Sequence, residues 1–372
     1  SKINGKELFE SQKFLLFSCS IIFLISIIMR SMMNISCDTA IYIDLGKKIT
    51  EGKKYYYDFF EGNFPISFYI HALQYKIATT FQIHPIIFSE ISSNLLALLS
   101  IFWAAKILKK TTIYDNKTHY NLLIIACFLS YFLRPNAFDE METKTSFLLI
   151  LLFPYLSYCF ELKKSLDKKN LSFKGILMGL IPCFKPHYLI LIIFVEALHF
   201  FKDKSLKFFF KLDKLFMALI GVLYLFLMLK LTPEFFEFIV PMWQKIYNPY
   251  RNLWTFLNGT SWFFANKMLV FSPIFLIFSK IKPTFNDKVL IIFFIAASFL
   301  LISEGLMSID QLVIFYFALT ICYLKLFCDL ILSKKIDLSE HKLLVLFFLF
   351  LPLFNLDYLP IGFFRSEERR VG

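Results

Sequence analysis

Carboxylates cluster directly after the first hydrophobic stretch of this chain, and they are the side chains best suited to proton transfer. Asp38 follows the apolar stretch 14–33, and Asp58 and Glu61 come later in the same polar segment, residues 34–64. A carboxylate is costly to place at the edge of a bilayer, which favours a functional role for this segment. A partly desolvated carboxylate takes a proton readily, so Asp38 is a candidate general base. It is equally a candidate helix N-cap, because a helical run follows it.

Two further groups of acids leave their roles open. Asp58 and Glu61 stand in a predicted turn, where they could orient a substrate hydroxyl or hold the turn itself. Asp139, Glu140 and Glu142 lie between two predicted spans. Carboxylate oxygens bind hard divalent cations, so this second group could hold one, although no spacing in it requires a metal. It could also share a substrate site with Asp38 or be a solvated loop.

Basic and aromatic residues offer a complementary chemistry. Lys185 and His187 flank Pro186 at the end of a predicted span. A lysine fixed there could bind a phosphate as a point charge, or it could extend to the lipid headgroups. Arg251 lies in the segment 232–266, which is dense in Trp and Tyr. Such aromatics form interfacial belts or stack on sugar rings, and the sequence does not separate these roles.

Composition indicates a membrane protein. Of 372 residues, 58% are hydrophobic and 18% are charged, and long apolar runs recur from end to end. This pattern predicts an all-α, polytopic transmembrane bundle in a single domain. The net charge of +12 comes from lysines in short clusters between apolar runs, which is the positive-inside pattern and argues against nucleic acid as a partner. The seven cysteines include no Cys-x-x-Cys pair, which argues against a zinc site.

The placement of the lysines predicts the topology. If residues 65–80 form an amphipathic helix lying in the membrane interface, every lysine-dense short loop falls on the side of the N-terminus, and the chain has about eleven spans. The predicted spans are 14–33, 86–105, 121–133, 146–160, 173–184, 187–201, 215–231, 267–279, 289–303, 311–332 and 343–357. The outer side then receives segments 34–85, 134–145 and 232–266. The charged tail 365–372 looks like non-native sequence.

Two features inside the spans predict helix contacts. Gly175 and Gly179 are four residues apart, which favours close packing against another helix. Glu196 lies within a predicted span, where we expect it to be buried and paired, with His199 as the candidate partner.

The order of these features resembles the C-type (GT-C) glycosyltransferases, in particular the protein O-mannosyltransferase and aminoarabinose transferase group. The first span is followed by Asp38-Thr-Ala-Ile-Tyr, by Gly52-Lys-Lys-Tyr-Tyr-Tyr-Asp-Phe, and by a helix that begins at Pro65. The acidic segment 139–142 and the Gly175, Gly179, Lys185 series resemble later features of the group. Many members have Asp-Glu where this chain has Asp38-Thr39. The resemblance ends near residue 200.

The resemblance implies that the donor is a polyprenyl-phosphate-linked sugar and the acceptor an envelope glycan, lipid or protein. It places the reaction on the extracytoplasmic face of a bacterial inner (cytoplasmic) membrane, with the bilayer as a partner. Asp38 would deprotonate the acceptor hydroxyl, whose oxygen attacks the anomeric carbon with inversion and expels the lipid phosphate. Lys185 with Arg134 or Arg251 would stabilise that leaving phosphate. The implied substrate-binding residues are Asp58, Glu61, Asp139, Glu142, Lys185, His187 and Arg251. No cofactor is implied beyond the divalent cation that the acidic segment could hold.

Other classes of membrane protein remain in competition. A lipid-linked polysaccharide polymerase or ligase also spans the membrane many times, but that class favours arginine-rich outer loops. A flippase or transporter would be favoured by charged residues within spans, for which Glu196 is the main candidate. A purely structural membrane protein fits least well with acids collected on one side.

Overall fold

A computed structural model describes residues 9–32, 37–133, 144–247, 284–303 and 309–332 of the chain. Within these ranges the chain is helical and has no β-strand, with only isolated bridges between Tyr55 and Phe59 and between Thr111 and Leu162. The all-helical class is therefore confirmed for the described ranges.

Nine of the described α-helices coincide with predicted spans and one with the predicted interfacial helix 65–80, whereas helices Cys37–Thr50 and Val240–Tyr247 lie in the predicted outer segments 34–85 and 232–266. In the described ranges the α-helices are α1 (Gln12–Ser31), α2 (Cys37–Thr50), α3 (Ile66–Thr80), α4 (Pro85–Leu108), α5 (Lys117–Phe132), α6 (Lys144–Cys159), α7 (Lys168–Phe184), α8 (Leu189–Asp203), α9 (Leu212–Leu231), α10 (Val240–Tyr247), α11 (Phe285–Ser303) and α12 (Ile309–Leu332). The predicted spans 267–279 and 343–357 and the tail 365–372 lie outside the described residues.

Membrane-protein character is visible in the length and composition of the helices. Among the described residues, α1, α4 and α9 are long and apolar enough to cross a bilayer. Helix α9 exposes large apolar side chains such as Val222 and Phe226, as expected of a helix that faces lipid. Helices α5 and α6 are buried on nearly all sides and form the centre of the bundle. Their apolar surfaces are covered by neighbouring helices.

Lysine-dense connections among the described residues meet at one end of the bundle, which we call the basic end. The backbone N–H of Lys163 donates to the carbonyl of Lys110, and Lys202 pairs with Glu161 at 2.8 Å. Asn286, at the start of α11, donates to Thr112 Oγ1 and accepts from the N–H of Glu161. Segments 109–116, 160–167 and 202–204 therefore lie together with the start of α11.

Helices α7 and α9 pack in parallel and unusually close together. A Cβ on Gly175 would lie 2.3 Å from the carbonyl oxygen of Asp213, and a Cβ on Gly179 would lie 2.6 Å from Cβ of Ile220. Gly175 faces Asp213, and Gly179, four residues later in α7, faces Ile220, which is later in α9. The two helices therefore run in the same direction. The close contact predicted from the two glycines is confirmed.

A buried group of four charges joins α7, α8 and α9 on the side of the basic end. Lys174 Nζ lies 2.8 Å from Glu196 Oε1 and 3.4 Å from Asp213 Oδ2. Lys214 Nζ lies 2.6 Å from Glu196 Oε2 and 2.7 Å from Asp213 Oδ2. Two lysines and two carboxylates neutralise each other, which offsets the cost of burying each charge. We call these residues the charge tetrad.

The tetrad corrects one expectation about the spans. Glu196 is buried and paired as predicted, but its ion-pair partners are Lys174 and Lys214 rather than His199. The lysines come from neighbouring helices, which periodicity along one helix cannot reveal. The tetrad accounts for the buried acid structurally, so Glu196 no longer supports a transporter.

We expect Gly179→Ala to destabilise the bundle, because the new Cβ would overlap Ile220 of α9. Overpacking of this kind costs about 1–3 kcal/mol. The matched control is Gly221→Ala on α9, where a Cβ meets nothing within 4 Å. Thermal unfolding in detergent should show a lower midpoint for Gly179→Ala and an unchanged or higher one for Gly221→Ala. Equal midpoints for the two variants would contradict the close α7–α9 contact.

We also expect Glu196→Leu to be strongly destabilising, because it leaves two buried lysines facing one carboxylate. Removing one partner of a buried pair costs about 3–5 kcal/mol. The double variant Glu196→Leu/Lys174→Met restores neutrality and should recover much of the loss. Glu161→Leu, which breaks an exposed pair with Lys202, is the control and should cost less than about 1 kcal/mol. Denaturant unfolding measures all three, and a wild-type stability for Glu196→Leu would be the contrary result.

Candidate functional site

Asp38 lies in the first turn of α2, on the face of the helix that packs into the protein. The positions of Asp38, Tyr42 and Leu45 are spaced i, i+4 and i+7, which places them on one face. Tyr42 and Leu45 are buried, whereas Asp38 is exposed. Asp38 therefore stands at the open end of an otherwise packed stripe. Since α2 begins at Cys37, Asp38 is a residue of the first turn rather than the N-cap, where its charge complements the helix dipole.

Helix α3 packs against this face of α2. The rings of Tyr42 and His71 stack with centroids 5.3 Å apart, and a Cβ on Gly46 would lie 2.7 Å from the backbone of His71. His71 is 1% exposed. Asp38 is thus one helical turn from a residue that touches α3.

His71 and Gln74, two of the polar residues of α3, face the protein rather than water, whereas Lys76 is exposed. Gln74 Nε2 donates to Ser92 Oγ at 2.8 Å, and Gln74 Oε1 accepts from Ser89 Oγ at 3.1 Å, both on α4. Leu73 is 61% exposed. The polar side of a helix that lies in the interface is expected to meet water. Gln74 is buried instead because the serines of α4 satisfy its hydrogen bonds. The sequence pattern distinguished an apolar face and a polar face of α3, but it did not show which of them packs against α4.

Asp58 and Glu61 hold turns in the segment that joins α2 and α3. Asp58 Oδ2 accepts from the backbone N–H of Lys54 at 2.7 Å, and Glu61 Oε1 accepts from that of Asn63 at 2.9 Å. The Tyr55 hydroxyl donates to the carbonyl of Glu61 at 2.6 Å. Burial, followed by the charge of Glu61, raises the pKa of Tyr55 well above its usual value, so this hydroxyl stays a donor. These contacts favour the structural role left open for the two acids.

Lys144 ties this segment to the first turn of α6. Its Nζ donates to Asn63 Oδ1 at 2.8 Å, and the residue is 9% exposed. The same Asn63 uses its N–H groups on Glu61, so one lysine orders the whole turn. Lys144 is absent from the predicted site, because a lysine beside an acidic loop resembles an ordinary solvated residue. The sequence feature that could have indicated its burial is its position just before the predicted span 146–160.

Lys185 and His187 lie on a tight turn between α7 and α8. Lys185 is extended at the C-terminal end of α7, and Pro186 begins a 3-10 turn that ends at Tyr188. The ammonium of Lys185 lies 6.0 Å from the ring centroid of Tyr188, and the ring of His187 lies 4.6 Å from the same ring. Both side chains are partly buried. The turn holds Lys185 more firmly than a long loop would.

A chain of aromatic contacts joins these three parts. Phe147, one turn after Lys144, meets the edge of His71 at 5.9 Å and stacks on Phe184 at 6.3 Å. Phe184 directly precedes Lys185. We name Asp38, His71, Lys144 and Lys185 the four-residue site. The packed helices that carry these residues supply a carboxylate, which can take a proton, and Lys185, whose charge can bind a phosphate, while Lys144 holds Asn63.

Part of the predicted site lies outside the described residues. This applies to Arg134, Asp139, Glu142 and Arg251, and to the acidic segment that could hold a cation. In the part of the chain that the structure describes, no three His, Cys, Asp or Glu side chains gather as metal ligands.

The first part of the aromatic segment 232–266 is described. Residues 235–239 form a π-helical turn that continues into α10. Trp243 of α10 packs against Phe64 at 5.8 Å and Phe235 at 5.4 Å, between ring centroids. Trp243 therefore packs against the end of the segment that precedes α3.

Comparisons of this chain with protein-family models, with curated proteins and with solved structures find no match.

Proposed function

We propose that this protein is a membrane glycosyltransferase that moves a sugar from a polyprenyl-phosphate donor to an envelope glycan, lipid or protein. The supporting observation is the position of Asp38, exposed at the open end of the packed face of α2. Contacts through Tyr42, His71 and Phe147 connect that face with the helices that carry Lys144 and Lys185. A base and a phosphate-binding cation in one set of packed helices suit this reaction, with Lys144 holding the segment before α3 in place.

In the proposed reaction, the acceptor hydroxyl oxygen attacks the anomeric carbon as the bond from that carbon to the phosphate oxygen breaks. Asp38 takes the hydroxyl proton, and the electron pair of the broken bond leaves with the polyprenyl phosphate. One displacement inverts the anomeric carbon and needs a single base, unlike the paired carboxylates of hydrolases. Lys185 stabilises the charge that develops on the leaving phosphate. Lys144 keeps the segment around Glu61 and Asn63 in place beside the reacting groups.

The proposal includes a topology. The basic end would face the cytoplasm by the positive-inside rule, and the four-residue site would face outward across a bacterial inner membrane. The donor's polyprenyl chain would stay in the bilayer while its sugar enters from the side. About eleven spans, with α3 at the outer interface, remain part of the proposal. Further contacts to the sugar or phosphate would come from Asp139, Glu142, His187 and Arg251.

We expect Asp38→Asn to reduce sugar transfer by about 10²–10⁴-fold, because an amide cannot accept the hydroxyl proton. The matched control is Asp44→Asn on the same helix. Asp44 is exposed and pairs with Lys48 at 2.8 Å, so its loss should leave transfer unchanged. The measurement is transfer from a labelled polyprenyl-phosphate sugar in proteoliposomes. Full activity in Asp38→Asn would contradict the proposal.

The two lysines should differ in their kinetic signatures. Lys185→Met removes a charge that acts on the leaving group, so kcat should fall by about 10²–10³-fold. Lys144→Met removes a hydrogen bond that positions the segment around Asn63, so KM should rise more than kcat falls. Lys53→Met, an exposed lysine of the same segment, is the control for both. A kcat for Lys185→Met equal to that of the control would argue against its assigned role.

A further inference from the structure

An apolar groove runs along α8 where this helix meets α11. It has a volume of about 300 Å³ and is lined by Ile193, Phe194, Ala197, Leu198, Phe201 and Ile292. Its outer rim is open in the part of the chain that the structure describes, since Ile193 is 53% and Phe201 67% exposed. From residue 193 to 201 the groove extends about 12 Å along the helix axis. That length is close to one leaflet, which is half of a hydrocarbon core of about 30 Å.

The groove ends among lysines at the basic end. Lys202 follows Phe201, pairs with Glu161 and lies 4.0 Å from the ring centroid of Phe285 on α11. Lys204 and Lys207 are exposed and have no ion pair with the described residues. The one nearby acid on the connection, Asp203, is paired with Lys211. Among the described residues, these two positive charges are therefore uncompensated, and they follow Phe201, the last residue of α8 that lines the groove.

The connection after α8 also presents aromatic side chains outward. In the 3-10 turn Leu206–Phe210, Phe208 is buried, whereas Phe209 is 55% and Phe210 is 77% exposed. Exposed aromatics beside lysines are typical of a segment that sits at the level of the lipid headgroups. Lys204 has a φ of 48°, in the left-handed region that favours glycine. Lys204 is the C-terminal cap of α8, so the chain turns out of the helix at this lysine.

We propose that this place is a binding site for one anionic phospholipid of the cytoplasmic leaflet. One acyl chain occupies the groove between α8 and α11, and the headgroup phosphate meets Lys204 and Lys207. Phe209 and Phe210 flank the headgroup in the interface. A lipid with a net negative charge is favoured over a zwitterionic one, because its headgroup has no cation that would repel the lysines. The site is at the opposite end from Asp38 and is independent of the proposed function.

The test is native mass spectrometry of the full-length protein, delipidated and titrated with phosphatidylglycerol or phosphatidylcholine of the same acyl chains. Wild type should bind phosphatidylglycerol about tenfold more tightly. Lys204→Gln/Lys207→Gln should lose this preference. The matched control, Lys53→Gln/Lys54→Gln, removes the same charge from exposed lysines of the segment after α2 and should keep it. Ala197→Trp fills the groove without changing charge and should weaken binding of both lipids.

Three results would overturn the proposal. The first is an undiminished preference in Lys204→Gln/Lys207→Gln, and the second is an equal loss in the Lys53 and Lys54 control, which would reflect net charge alone. The third is displacement of bound phosphatidylglycerol by stoichiometric polyprenyl phosphate, which would assign the groove to the donor lipid. Thermal unfolding of each variant excludes misfolding, and the lysine variants keep the test decisive if Ala197→Trp fails to fold.

Discussion

The parallel contact between α7 and α9 is the interaction on which the rest of the described bundle depends. It exists because Gly175 and Gly179 leave no side chain between the two backbones. The close approach lets Lys174, next to Gly175, reach Asp213 of α9, and Glu196 of α8 completes the neutral tetrad. The same helix α7 then carries Lys185 at its far end. One packing contact therefore controls both the buried charges and the position of a candidate phosphate ligand.

The polar chemistry of the protein is divided between the two ends of the bundle. Hydrocarbon cannot hydrate a charge, so ionised groups within the spans have to be neutralised, as they are in the tetrad. At the ends, water and headgroups are available and charges can remain without partners. Among the described residues, Lys204 and Lys207 are exposed without an ion pair at the basic end, and Asp38 is exposed at the opposite end. The proposed reaction and the proposed lipid site each occupy one of these ends.

Local sequence patterns predicted the parts of the structure that depend on neighbours along the chain. Apolar runs located most of the described helices but not α2 and α10, and the spacing of Gly175 and Gly179 predicted a close helix contact. Patterns were less informative about which groups meet across helices. Lys144 was overlooked, although it joins Asn63 to α6, and His199 was expected to pair with Glu196 where two lysines do so. Helix α3 shows the same limit, since Gln74 of its polar face turned out to be buried against the serines of α4.

What the sequence determined by itself was a helical membrane protein with its lysines in short connections. Those properties follow from hydrophobicity and charge, which act residue by residue. Only the tertiary structure decided that α3 packs against the face of α2 that carries Tyr42, that Lys144 holds Asn63 before α3, and that four charges cancel inside the bundle. The physical reason is that an ion pair or a hydrogen bond between helices depends on distances of a few ångströms. Those distances are set by packing between segments far apart in the chain.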